Sequence, residues 1–226
     1  FTREQKLVSI VHPTEYPYSD GRIVSNDGLD LPVNRWTDAF HEEHIEGSNA
    51  LHARTNDGQV YLLGPAARIT LAGEQLHPIA AQALAETGMK ELIRTNIYWS
   101  ILARAVELLH AVAEAHDLVD GYRPPDAPRV AWTPRPGRGA WATEAPRGML
   151  FHRYEIDERG FVSEAQIVPP TSQNQGAIEA DLTAFAPSVL RLPHDEATLR
   201  LEQLIRSYDP CISCATHFLD LRIEEA

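Results

Sequence analysis

The chain has 226 residues, enough for one or two globular domains, and its 43% hydrophobic and 23% charged content is that of an ordinary folded protein, not a collagen-like or disordered one. With 20 Lys+Arg against 32 Asp+Glu the formal charge is −12. That excludes a basic nucleic-acid-binding stripe, since phosphate neutralisation needs clustered Lys and Arg. No apolar stretch approaches the ~20 residues of a membrane helix and Phe1-Thr2-Arg3-Glu4-Gln5-Lys6 is no signal-peptide core, so the chain reads as cytoplasmic.

Residues 1–75 read as a mixed α/β segment. Strands are expected at Arg22–Ser25 and Gln59–Leu63, with turns at Asn26-Asp27-Gly28 and Asn56-Asp57-Gly58. Residues 76–120 read as helical, first over Pro78–Glu86. After the Gly88 break comes one long run from Lys90, with Ile93, Ile97, Ile101, Ala105, Leu108, Val112 and Ala115 as its apolar stripe, widened by Leu102, Val106, Leu109 and Ala113. Residues 121–143 hold many Pro and Gly and read as an extended connector. In 144–217, Leu150–Glu155 and Phe161–Val168 are expected to form a hairpin that Pro169-Pro170 ends. A short helix is expected at Gly176–Phe185, and a longer one capped by Asp195 with Leu201, Leu204, Ile205 and Tyr208 on one face. Pro210 should stop that helix before the cysteines. The fold class expected is mainly α with small, peripheral β elements (α+β).

The only cysteines are Cys211 and Cys214, within Asp209-Pro210-Cys211-Ile212-Ser213-Cys214-Ala215-Thr216-His217. Two cysteines so close are no secretory disulfide framework. Thiols at i and i+3 can face one centre, and thiolates select zinc, iron, nickel or copper(I). Spacing alone leaves a structural zinc site with His217 as third ligand, or a redox dithiol, open.

The flanking residues are more specific. Asp-Pro-Cys-x-x-Cys-x-x-His close to the C-terminus resembles the signature of the nickel-iron hydrogenase large subunit. Glu144-Ala145-Pro146-Arg147-Gly148 is similar to that family's Ala-Pro-Arg-Gly segment, Ile167 to Gln175 to its Val-Pro segment, and Gly64-Pro65-Ala66-Ala67-Arg68 to a Gly-Pro-Leu-Ala-Arg stretch. The wording is closest to the cytoplasmic, NAD(P)-linked hydrogenases and sulfhydrogenases.

The resemblance implies a long-helix bundle of the large-subunit type and reversible heterolytic cleavage of dihydrogen. It implies Cys211 as terminal nickel thiolate, Cys214 as a nickel–iron bridge, and carbon monoxide and cyanide on the iron. On the same resemblance Arg147 would stand over the open coordination position, partnered by Asp209, with Pro146 in the same canopy. His217 and the Leu150 carbonyl would be magnesium ligands, and Val168, Pro169 and Thr171 would surround a cyanide. A guanidinium pKa above about 12 makes Arg147 a fixed positive charge more readily than a base. Implied partners are an iron-sulfur small subunit, a diaphorase-type NAD(P)-binding subunit, a maturation protease and nickel-insertion factors.

Two departures stand out. The family's other Cys-x-x-Cys has no counterpart, so two thiols cannot close a four-thiolate site. The chain is therefore expected to be a C-terminal half that is inactive alone, or one that assembles with a separate N-terminal piece. Residues 218–226 follow His217 and read as an uncleaved maturation tail. The alternative is a non-catalytic zinc or nickel assembly module built on Cys211, Cys214 and His217.

Overall fold

The computed structural model describes residues 1–211 and 221–223. Among the described residues, three antiparallel sheets and five α-helices make an α+β architecture. Strands β1 (Val8–Val11), β2 (Arg22–Ser25) and β3 (Asp30–Pro32) form the first sheet, and β4 (Phe40–Glu43) with β5 (His52–Thr55) the second. The third is a meander of β6 (Gly137–Ala145), β7 (Gly148–Ile156) and β8 (Val162–Val168). The helices are α1 (Pro65–Ala72), α2 (Pro78–Thr87), α3 (Ser100–Gly121), α4 (Pro170–Val189) and α5 (His194–Ser207).

Local chemistry explains most boundaries. Proline opens α1, α2 and α4, where its missing N–H would be unbonded anyway. Gly88 stops α2 in the left-handed conformation (φ 63°). The expected turn glycines Gly28 and Gly58 also have positive φ. Of Gln59–Leu63 only Leu62 pairs, in a lone parallel bridge to Leu7, because the chain runs straight on into Gly64 and α1.

Three helix expectations need correction. The run from Lys90 is broken by 3-10 turns at Leu92–Arg94 and Ile97–Trp99, and α3 begins only at Ser100. A 3-10 turn advances three residues per turn instead of 3.6, so the phase slips. Ile93, Ile97 and Val106 are buried, but α3 also buries Ala103 and His110, leaving Ile101, Leu102, Leu108 and Val112 facing outward. The helix expected at Gly176–Phe185 starts at Pro170 and runs to Val189 through Pro187. Asp195 lies in the first turn of α5, and Pro193, not Asp195, holds the N-cap position with no side-chain cap.

The hairpin β7–β8 forms as expected, but β6 begins at Gly137, inside the stretch read as connector. The sheets are also more than peripheral. They enclose a core of their own in which Trp36 stacks on Phe151 at 5.0 Å and on Phe40 at 5.5 Å, with Ile10, Ile23, Tyr61 and Met149 around them. A second core joins the helices through Ala67, Ile69, Met89, Ile93, Ala103, Val106 and Leu204.

Candidate active site

Two short backbone straps meet on one side of the molecule. The first is Pro146-Arg147, the two-residue loop between β6 and β7, where Ala145 pairs with Gly148. Gly148 takes φ 133°, and a Cβ there would lie 2.4 Å from the Leu63 Cβ, so only glycine lets the hairpin end press against the Leu63-Gly64 turn. The second strap is Asp209-Pro210-Cys211, leaving the end of α5. Asp209 is the one non-glycine residue with positive φ (53°) among the described residues. An aspartate tolerates that conformation better than most, and the following proline disfavours continuing the helix.

The straps are bridged by Arg147 and Asp209. The guanidinium Nε donates to the Asp209 backbone carbonyl, and the carboxylate lies 3.5 Å from both Nε and Nη2. Both side chains are more than a third exposed, so the ion pair orients the groups more than it stabilises the fold.

The N-terminal turns of α4 hold both straps. Asn174 accepts from the Leu63 N–H at 2.7 Å and donates to the Arg147 carbonyl at 3.2 Å, while the Cys211 N–H donates to the Thr171 hydroxyl at 3.2 Å. Gln173 ties the same helix to the third sheet, donating to the carbonyls of Met149 and Val168 and accepting from the Tyr61 hydroxyl. The second strap has further anchors. The Tyr208 hydroxyl donates to Asp181, which is buried and also held by Arg3 and Gln5, and burial raises the Tyr208 pKa. The Ser207 carbonyl accepts from Ser100 and from Arg104.

Arg147, Asp209, Cys211, Pro146 and Thr171, singled out in the sequence, are thus tied to these straps or to the helix that holds them. Val168 ends β8 fully buried and Pro169 caps α4. Leu150 lies in β7 opposite Thr143, three residues beyond Arg147. Cys214 and His217, with most of the tail after His217, lie outside the described residues.

Sequence reasoning placed Gln173, Asn174 and Arg68 in motifs without giving them a role in holding the straps, and missed Asp181 and the buried ionic cluster beneath Pro146. There Arg68 of α1 is paired with Glu107 of α3 and Glu144 of β6, and the Tyr16 hydroxyl donates to Glu107. Burial opposes the Arg68 charge, but Glu107 and Glu144 outweigh it and push its pKa well up; burial also raises Glu144. The available signal was an arginine inside the otherwise apolar helix Pro65-Ala66-Ala67-Arg68-Ile69.

Residues 51–217 match the family described as nickel-dependent hydrogenase. The chain belongs to that family. The alpha subunit of sulfhydrogenase 1 from Pyrococcus furiosus is 31% identical over 201 residues, covering 88% of this chain and 46% of that protein. The beta subunit of the NAD-reducing hydrogenase HoxS from Cupriavidus necator is 36% identical over 172 residues, covering 70% of this chain and 34% of that one. The crystal structure of an NAD+-reducing [NiFe]-hydrogenase in the H2-reduced state superposes with TM-score 0.79 at 23% identity, over 96% of this chain and 51% of that one, which establishes the shared fold. This chain of the nickel-dependent hydrogenase family therefore spans less than half the length of those two relatives.

The donor chemistry at the straps fits a nickel–iron centre in kind, since cysteine sulfur suits soft and borderline metals. Among the described residues no group of three or more His, Cys, Asp and Glu could hold an ion. No described helix is long and apolar enough to cross a membrane.

Proposed function

We propose that this chain is the metal-site part of a nickel–iron hydrogenase large subunit and takes part in the reversible cleavage of dihydrogen to protons and electrons. The observation that carries this reading is the meeting of Arg147, Asp209 and Cys211 on two straps held by one helix end. Cys211 and Cys214 would hold the nickel–iron centre, with carbon monoxide and cyanide on the iron. His217 and the Leu150 carbonyl would hold magnesium. When bound, the centre supplies the Lewis acidity that makes dihydrogen, a very weak acid, cleavable.

The chain's own groups do the rest. The Cys211 thiolate takes the proton at its sulfur. Arg147, kept in place by Asp209, presents a fixed positive charge that costs no reorganisation during reaction. Pro146, Val168, Pro169 and Thr171 exclude water and offer a hydrogen bond beside the iron ligands. Electrons leave towards an iron-sulfur small subunit and a diaphorase-type subunit that reduces NAD(P) in the cytoplasm. The name of the Cupriavidus necator relative, a subunit of an NAD-reducing hydrogenase, supports NAD as the acceptor. Residues 218–226 would be removed by a maturation protease after nickel insertion, and the helices would extend into a long-helix bundle.

The test is metal analysis with infrared spectroscopy on the purified complex. Nickel and iron with carbonyl and cyanide bands, all lost in Cys211→Ser, are expected. One zinc per chain and a silent infrared window would refute the reading and favour the assembly module.

A further inference from the structure

The geometry points to Arg68 as the positioning residue that sets where Arg147 stands, an inference that rests on the hydrogenase reading above. A guanidinium has five N–H donors, and at Arg68 all of them are used. Nε and Nη2 donate to the two oxygens of Glu107 at 2.6 and 2.7 Å, and Nη1 donates to Glu144 at 2.8 Å. The two remaining hydrogens go to the carbonyls of Ala145 and Pro146, each at 2.9 Å. These are the two peptide carbonyls immediately before Arg147. Glu144 is itself fixed by the Ser9 hydroxyl at 3.1 Å and the Ile10 N–H at 2.9 Å. The grip on the strap is therefore anchored in α1, α3 and β1 together.

Packing alone does not fix the strap there. A cavity of about 290 Å³ lies beside it, lined by Tyr16, Tyr18, Arg104, Leu108 and Pro146 as well as the cluster, so the strap has room to shift. On its other side Asn174 and the close approach of Gly64 hold only the Arg147 carbonyl. Arg68 supplies the hydrogen bonds that hold the turn entering Arg147. A lysine would keep the charge between Glu107 and Glu144 but offers three donors on one atom, and cannot span two carboxylates and two carbonyls.

The deciding variant is Arg68→Lys in the intact hydrogenase complex, compared with Arg138→Lys, which alters an exposed ion pair of β6. Arg68→Lys is expected to keep nickel and iron while shifting the carbonyl and cyanide bands. It is also expected to speed hydrogen–deuterium exchange in residues 143–150. It should lower kcat about 10²-fold, the scale for a misplacement of roughly 1 Å, with KM for dihydrogen little changed. Arg138→Lys should match wild type throughout. Wild-type bands, exchange and kcat in Arg68→Lys would mean that Arg68 merely balances buried charge, and would overturn the inference. If Arg68→Lys does not assemble, Glu107→Gln is read by the same measurements: shifted bands and faster exchange sustain the inference, and wild-type values overturn it. Absence of carbonyl and cyanide bands in the wild type sinks the hydrogenase reading instead.

Discussion

At the scale of single residues, the chemistry is concentrated where a side chain is held by something unlike itself. Asp209 has an unusual backbone conformation and supplies both a carbonyl and a carboxylate to Arg147. Asp209→Asn keeps the backbone tolerance, because asparagine also accepts positive φ, but removes the charge. The holoenzyme variant is expected to fold with an unchanged melting temperature, since a pair this exposed contributes little, and to lose at least about tenfold in kcat through a looser cation. A variant with full kcat would show that the carbonyl of residue 209 is the only partner that matters. Arg147, Pro146, Asp209 and Cys211 were legible because their short motifs are local in sequence. The holding roles of Arg68, Asn174 and Asp181 were not, because their partners lie 27 to 178 residues away.

Among the secondary elements, the hairpin β6–β7 and the N-terminal turns of α4 decide the geometry. Two glycines that differ in surroundings show how much. Gly88 has φ 63° with open space around it, so Gly88→Ala is expected to cost about 1 kcal/mol, the price of a left-handed alanine. Gly148 has positive φ and would also drive a Cβ into Leu63 and Gly64. Gly148→Ala is expected to cost several times more, about 3 kcal/mol or above, by separating the strap from the turn it presses on. Chemical denaturation of the two variants checks this, and equal costs would refute the close-packed role. The hairpin β7–β8, the extent of α2 and the stop before the cysteines were readable from turn residues and prolines. The phase of α3 was not, because 3-10 turns ahead of it break the 3.6-residue period, and no composition rule announces them.

Over the whole molecule, the helical core and the sheet core meet at the ionic cluster, with Arg68 and Glu107 from the helical layer and Glu144 from β6. Burial raises the Glu144 pKa above its ordinary 4.5, although Arg68, Ser9 and the Ile10 N–H all counter it. The folded chain thus binds that proton more tightly than the unfolded one. The contribution of this group is fully present below about pH 4.5 and is lost as pH rises through the raised value. Glu144→Gln cannot ionise and lacks that loss. Its melting temperature relative to wild type is expected to rise between about pH 4 and pH 8, and a difference that does not change with pH would refute the assignment. Along α3, Ile101, Leu108 and Val112 face outward in a chain that spans less than half the length of the two relatives compared with it.

Sequence by itself determined the elements that local chemistry writes, namely proline starts, glycine stops and alternating strands, together with the short motifs that carry family membership. Those signals act within a few residues, so a linear reading finds them. Only the tertiary structure decided which face of α3 is buried and that β6 exists within a Pro/Gly-rich stretch. It alone showed that one buried guanidinium, 79 positions before Arg147, holds the strap on which Arg147 stands. Those outcomes depend on which distant groups share a buried space, where an unpaired donor or charge costs far more than any local preference can repay.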